Sequence, residues 1–296
     1  MKYPPKLKGN FLLGAVVIVT IVLSFAWIVT LSKYLEHKHD KNAIAITSGT
    51  SPAPASEEAK PASPSPSPSP SPEVFTGFCL NVPILMYHHI QPMADAKTKG
   101  QGGLSVDTGT FDSQMAYLKS TGYNSITMQQ LAQALIGHQT LAKSVVVTLD
   151  DGYKDQFTNA FPIAQKHGIK LNMFIATGLL NNSDYMSWDD LRQIVGAGNV
   201  AYDHTWSHAN LGAASLDKIK YEITTGKNQL SQFVGQNGPI FAFPYGAENS
   251  AAVTVLRENG FIAATSTIPG TTQCDSFLMS LRRTRVGGSS LSAYGL

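Results

Sequence analysis

The sequence predicts an α/β fold, with a distorted (β/α) barrel as the leading architecture and a doubly wound open sheet as the alternative. Three observations predict it. Short apolar runs alternate with amphipathic stretches over residues 76–296, the order that builds βα units. Several runs are continuous rather than alternating in polarity, as expected of parallel strands buried on both faces. Polar, chemistry-bearing residues gather directly after those runs, where a barrel carries its active site.

Taken in order, strands are expected at residues 82–87, 144–149, 171–176, 200–203, 240–243 and 261–265, with a weaker one at 124–128. Helices are expected at 111–119, where Phe111, Met115 and Leu118 share a face, and at 129–136, 155–167, 188–195, 216–233 and 250–259. Gly122, Gly137, Gly168, Gly198 and Gly260 stand where glycines end helices. No Gly-rich phosphate loop and no GxSxG nucleophile elbow is present.

The first 75 residues read differently. Residues 11–31 form an uncharged apolar run of 21 residues, which as a helix reaches about 30 Å, the thickness of a bilayer core. A cleaved signal peptide is the alternative, but its apolar region is usually about 7–15 residues long and closes on a small-x-small site. The lysines tie, with Lys2, Lys6 and Lys8 before the run and Lys33, Lys38 and Lys41 after it. The short leading tail favours residues 1–10 as a cytoplasmic tail, 11–31 as a transmembrane anchor and 32–75 as a linker outside the cytoplasm. Residues 47–73 hold eight of the sixteen prolines, including five consecutive Ser-Pro pairs, so this linker is expected to be a stiff polyproline II spacer. The expected place is therefore the cell membrane, single-pass, with a head at 76–296 that works on something displaced from the bilayer. A formal charge of +2 gives no electrostatic case for nucleic acid.

Three clusters carry candidate chemistry. His204 and His208 are four apart, a spacing that lets two imidazoles grip one metal ion, although surface pairs at this spacing are common. Asp150-Asp151 follows a buried-strand pattern; two acids there are costly to bury without a cation nearby. Gly152 permits a bend that frees one of them for metal and the other for proton transfer, with a helix cap as the bland reading and Asp155 as another cap. His88-His89 ends the first strand, where a structural histidine is the commoner case. Trp188 and Trp206 are core residues or sugar platforms. His138 and His167 read as helix-end residues, and His37 and His39 belong to the stalk.

The ordered set TLDDGY at 148–153, HTWSH at 204–208 and FPYG at 243–246, with SWDDL at 187–191, resembles the polysaccharide deacetylases, the NodB-type domain of carbohydrate esterase family 4. The resemblance covers about residues 80–286. It implies a distorted barrel of about seven strands and metal-dependent removal of N-acetyl or O-acetyl groups from an acetylated glycan such as an N-acetylglucosamine polymer. It implies Asp151, His204 and His208 as ligands of one divalent ion, zinc first, Asp150 as general base and the Tyr245 backbone N–H as oxyanion donor. Two positions depart from the family. Ala242 stands where an arginine commonly orients the base, and no histidine follows His208 to serve as the acid. The segment PILMYHHI at 83–90 resembles the branch that includes poly-N-acetylglucosamine deacetylases, in which the first strand supplies that histidine. This points to His88, with His89 second. The tail LRRTRV at 281–286 resembles that branch's closing strand, with Arg283 as the replacement arginine and Arg285 as the alternative. A non-catalytic glycan-binding protein and another barrel metallohydrolase are the rival functions. Cys79 and Cys274 flank segments that a barrel can make neighbours; a disulfide and two buried thiols are both open.

Overall fold

The structure is a computed structural model and describes residues 75–296. The expected cytoplasmic tail, anchor and linker up to residue 74 lie outside the described residues. Among the described residues no helix is long and apolar enough to cross a membrane.

The strands are β1 Cys79–Asn81, β2 Ile84–Tyr87, β3 His89–Ile90, β4 Ser105–Val106, β5 Asn124–Ser125, β6 Ser144–Asp151, β7 Leu171–Ile175, β8 Val200–Asp203, β9 Ile240–Ala242, β10 Ala263–Thr265, β11 Thr272–Cys274 and β12 Thr284–Arg285. Seven of them run β10-β9-β8-β7-β6-β2-β12 in one sheet, with β5 added on β6. Every pairing in this sheet is parallel. The curled parallel sheet with helices between its strands is the α/β architecture expected, and the doubly wound alternative falls away because the last segment returns toward the first. Leu281 donates its N–H to Ala264 O, and Val286 donates its own to Met86 O. Residues 281–286 therefore run from the β10 edge to the β2 edge.

Alternation along the strands makes two different faces. Leu85, Val147, Leu149, Met173 and Ala201 pack with Phe111, Met115 and Leu118 of helix Thr108–Ser120 and with Leu191 and Ile194 of helix Trp188–Gly196. The opposite face joins Ile84, Val146, Phe174, Tyr202, Ala242, Ala263 and Leu281 into a second cluster. Helix Met128–Ile136 packs into this cluster through Met128, Leu131 and Leu135. Its first N–H groups find partners there, with Met128 N–H on Asn172 Oδ1 at 2.8 Å and Gln129 N–H on the Tyr202 hydroxyl at 3.3 Å. That explains why 124–128 is a strand for only two residues before turning helical. A third cluster seats Phe241, Phe243 and Ala264 against Ile219 and Ile223 of helix Leu216–Val234 and Val255 and Leu256 of helix Ser250–Glu258.

The helix expected at 155–167 is present, with a π-helical turn, Gln156–Ala160, leading into helix Phe161–His167. One local expectation is corrected. Asp155 makes no side-chain cap. Its carboxylate is occupied instead by the Ile90 N–H at 3.0 Å and His89 Nδ1 at 2.5 Å. On the far side of the molecule β1 pairs antiparallel with β11, and Cys79 and Cys274, directly opposed in register, form a disulfide.

Candidate active site

The strand that carries the two aspartates, β6, lies in the interior of the sheet between β7 and β2. β6 is buried along all eight of its residues. Asp150 lies on the same face as Val146 and Thr148, so its carboxylate enters the barrel interior and is 2% exposed. The chain turns one residue earlier than the glycine suggests: Asp151 itself has φ +78° and Gly152 φ +89°. This bend lets neighbours that would otherwise face opposite ways serve one site.

Arg283, 1% exposed, meets Asp150 inside the barrel: its Nη1 donates to Asp150 Oδ1 at 2.8 Å and its Nε donates to Ser266 O at 2.9 Å. Burial pushes the Asp150 carboxyl up, but Arg283, then His204 and His88, outweigh it and hold the group below the ordinary aspartate range. Arg285 points elsewhere, to Gly103 O at 3.2 Å, and is exposed.

Asp151, His204 and His208 offer ligand atoms that all lie within 4.8 Å of one another. Asp151 Oδ1 stands 3.3 Å from His204 Nε2 and 3.1 Å from His208 Nε2. The tautomer of His204 follows from its other nitrogen, which lies 2.7 Å from Ala242 O. A carbonyl only accepts, so His204 Nδ1 carries the proton and Nε2 presents a lone pair. His208 Nδ1 lies 3.1 Å from the Tyr245 hydroxyl, leaving its Nε2 toward Asp151 as well. Asp151 Oδ1, a buried oxygen without a hydrogen-bond donor, thus meets the His204 Nε2 lone pair, and His208 Nε2 adds a third lone pair when its Nδ1–H donates to the Tyr245 hydroxyl. Such a cluster of lone pairs fits a divalent cation. Two imidazoles and one carboxylate also leave positions open, as hydrolytic metal sites require.

Four of the six non-glycine residues with positive φ among the described residues sit here: Asp151, Thr205, His208 and Tyr245, at +78°, +69°, +58° and +61°. Strained backbone of this kind persists where surrounding structure enforces it, and it concentrates at functional sites.

Asp150, Asp151, His204, His208, Tyr245 and Arg283 line one cleft of about 560 Å³, together with His88, Tyr153, Tyr185, Phe243, Thr267, Leu104 and Arg285. His88 follows β2 and faces into this cleft. Burial lowers its basicity, as do Arg283 and Arg285, while Asp150 and Asp151 pull the other way; the net direction is down. His89, its neighbour, turns away into the bond with Asp155 and stacks on Tyr153 at 3.7 Å between ring centroids. Tyr245 is 66% exposed at the rim. Trp206 makes an edge contact with Tyr221, and Trp188 packs on Phe233. His138 and His167 are tied to Asp275 and Asp112 on other elements.

Sequence reasoning missed the carboxylates beneath the histidine loop. Asp203 is 2% exposed and accepts the Thr205 N–H at 2.9 Å. Glu222 accepts from Ser207 N–H at 2.7 Å and Ser207 Oγ at 2.6 Å. Tyr185 also went unnoticed, because it comes from a loop without strand or helix periodicity. Its hint was the adjoining SWDDL segment.

A parallel barrel with an arginine-held aspartate beside an Asp-His-His cluster has the composition of a hydrolytic metal centre. Residues 137–264 match the family model for polysaccharide deacetylase, a family whose members are hydrolases of carbon–nitrogen bonds other than peptide bonds and use a divalent metal. The Streptococcus pyogenes deacetylase PplD, solved in complex with acetate, superposes with a TM-score of 0.66 at 28% identity, over 70% of this chain and 92% of that one. The Bacillus subtilis (strain 168) protein YxkH is 26% identical over 216 residues, 72% of this chain and 75% of that protein. The poly-β-1,6-N-acetyl-D-glucosamine N-deacetylase of Escherichia coli (strain K12) is 23% identical over 239 residues, 65% of this chain but only 35% of that protein's length.

Proposed function

We propose that this protein removes N-acetyl groups from an N-acetylglucosamine-containing cell-wall or surface polysaccharide and releases acetate. The observation that carries the reading is the buried Arg283–Asp150 pair in the same cleft as Asp151, His204, His208 and His88. It supplies, from the far end of the chain, the base-orienting arginine that Ala242 cannot provide.

Asp151, His204 and His208 would hold a divalent ion, most simply zinc, which would supply Lewis-acid polarisation of the acetyl carbonyl and activation of water. Asp150 takes the proton from the attacking water, and Arg283 keeps its carboxylate ionised and aimed. The Tyr245 backbone N–H donates to the oxygen on which negative charge develops. An amine is a poor leaving group, so His88 protonates the sugar nitrogen as its bond to the acetyl carbon breaks. Acetate and a free amine result. An O-acetyl ester reacts by the same steps with less need of the acid.

The reading extends to the cell. Residues 11–31 anchor the chain in the membrane, residues 32–75 space the head away from it, and the active site works outside the cytoplasm. The uncharged run and the Ser-Pro tract support this, as does the Cys79–Cys274 disulfide, a bond typical of oxidising compartments. The test is acetate release by the full chain from peptidoglycan, poly-β-1,6-N-acetylglucosamine and chitin oligomers, with and without chelator. Chelator-sensitive release from at least one polymer is expected; no release from any, with metal bound, overturns the reading.

A further inference from the structure

We propose that Glu222, on helix Leu216–Val234, is a positioning residue for the metal centre: its carboxylate holds residues 205–208 in the left-handed turns that aim His204 and His208 at Asp151. This rests on the reading of those three residues as metal ligands.

The loop between the two histidines has no regular secondary structure to shape it. Thr205 and His208 both occupy the left-handed region, which side chains avoid. Something outside the loop must therefore enforce its path. The middle of the loop is held by Glu222. Trp206 N–H donates to Glu222 O at 3.1 Å, Ser207 N–H to Glu222 Oε2 at 2.7 Å and Ser207 Oγ to Glu222 Oε1 at 2.6 Å. One residue thus receives three donors from two consecutive loop residues, immediately before the ligand His208.

The carboxylate is fit for this and for little else. Its side chain is 0% exposed, so it neither meets substrate nor serves the chemistry directly. Lys218 Nζ, one turn earlier on the same helix, lies 2.6 Å from Oε1 and compensates the buried charge. Ser207 burdens the carboxylate from one side and Lys218 from the other, which fixes its rotamer. The same helix approaches the other end of the loop: Gly226, one turn after Glu222, leaves room for the Asp203 carboxylate that accepts the Thr205 N–H. Both anchors of the loop are therefore referred to one rigid element.

The geometry of a metal site depends on such supports, and removing them typically weakens metal affinity by about 10–100-fold. The experiment uses the full chain, Zn²⁺ competed against a chromophoric chelator, and the visible absorption of the Co²⁺-loaded protein. Wild type is compared with Glu222→Gln, Ser207→Ala and His204→Ala. Glu222→Gln keeps the shape of the side chain but weakens its grip; Ser207→Ala removes a single bond at the surface of the loop and guards against a folding defect in the first variant. We expect both to lose Zn²⁺ affinity, Glu222→Gln by about 10–100-fold, and to shift the Co²⁺ spectrum. If both keep Zn²⁺ affinity within about twofold of wild type, below the usual effect of such supports, and an unchanged Co²⁺ spectrum, Glu222 is merely structural and the proposal is overturned. Failure of the underlying reading is seen separately: wild type that binds no Zn²⁺, or His204→Ala that binds it as wild type does, overturns the metal centre and the proposal with it.

Discussion

Arg283 Nη1 donates to Asp150 Oδ1 at 2.8 Å, across 133 residues of sequence and inside the barrel. The segment that leads into the closing strand thereby delivers a guanidinium to the interior strand β6. A lone buried aspartate would tend to take up a proton and lose its value as a base. Paired this way, it stays ionised.

Replacing Arg283 by Met should therefore harm two things at once. Breaking a buried ion pair by removing one partner costs about 3–5 kcal/mol of stability. Deacetylation should also fall, by about 10²-fold or more, the lower range for disabling a general base. Thermal denaturation and acetate release check the two effects. Arg285→Met, which leaves the Asp150 pair intact, should do neither to the same extent.

The two adjacent histidines should separate cleanly. His88→Ala is expected to keep its metal and lose about 10²–10⁴ in amide hydrolysis, as when a general acid is removed, with a smaller loss on an acetyl ester with a good leaving group. His89→Ala leaves Asp155 without its ring partner and should cost about 1–3 kcal/mol of stability, with a far smaller loss of acetate release. Near wild-type rates on N-acetylglucosamine oligomers in His88→Ala would move the acid elsewhere.

Much of this site was legible because its chemistry sits at the ends of strands that the apolar runs already locate. Asp150-Asp151, His204, His208 and Tyr245 each follow such a run directly, so a local pattern sufficed to place them at one end of a barrel. Arg283 needed the resemblance, since a closing strand of two residues has no periodicity of its own. Glu222 and Asp203 were not legible. Glu222 reads as an ordinary polar position of an amphipathic helix, and nothing local reveals that its helix lies under the histidine loop. Gly226 likewise reads as a mild helix defect, whereas its lack of a side chain makes space for a carboxylate. Helix 155–167 carries a π turn that its apolar pattern does not reveal, and there Gln156 Nε2 donates to His88 O at 2.9 Å.

Gly226 supplies a test of that last kind of relationship. By helix propensity alone, Gly226→Ala should stabilise by about 1 kcal/mol. A Cβ there would lie 2.2 Å from Asp203 Oδ1, an impossible contact. The variant should instead lose about 1–3 kcal/mol, as overpacked interiors do, and bind metal more weakly because Asp203 supports Thr205. Denaturant titration and metal analysis check it.

The disulfide should matter for stability rather than chemistry. It closes a loop with a sequence separation of 195 residues, and neither cysteine lines the cleft. The chain-entropy model assigns such a loop about 5 kcal/mol, an upper figure for Cys79→Ser with Cys274→Ser. Denaturant midpoints should fall in the double variant and, to a like extent, in wild type under reductant, while acetate release per folded molecule changes little.

The most direct test of the account is acetate release from N-acetylglucosamine oligomers by chelator-stripped full-length protein, titrated with Zn²⁺ alongside Asp151→Asn. The account predicts negligible release without metal, a rise that levels off at one equivalent, and no comparable rise in Asp151→Asn. Undiminished release from protein freed of metal, or full rescue of Asp151→Asn at one equivalent, would contradict it.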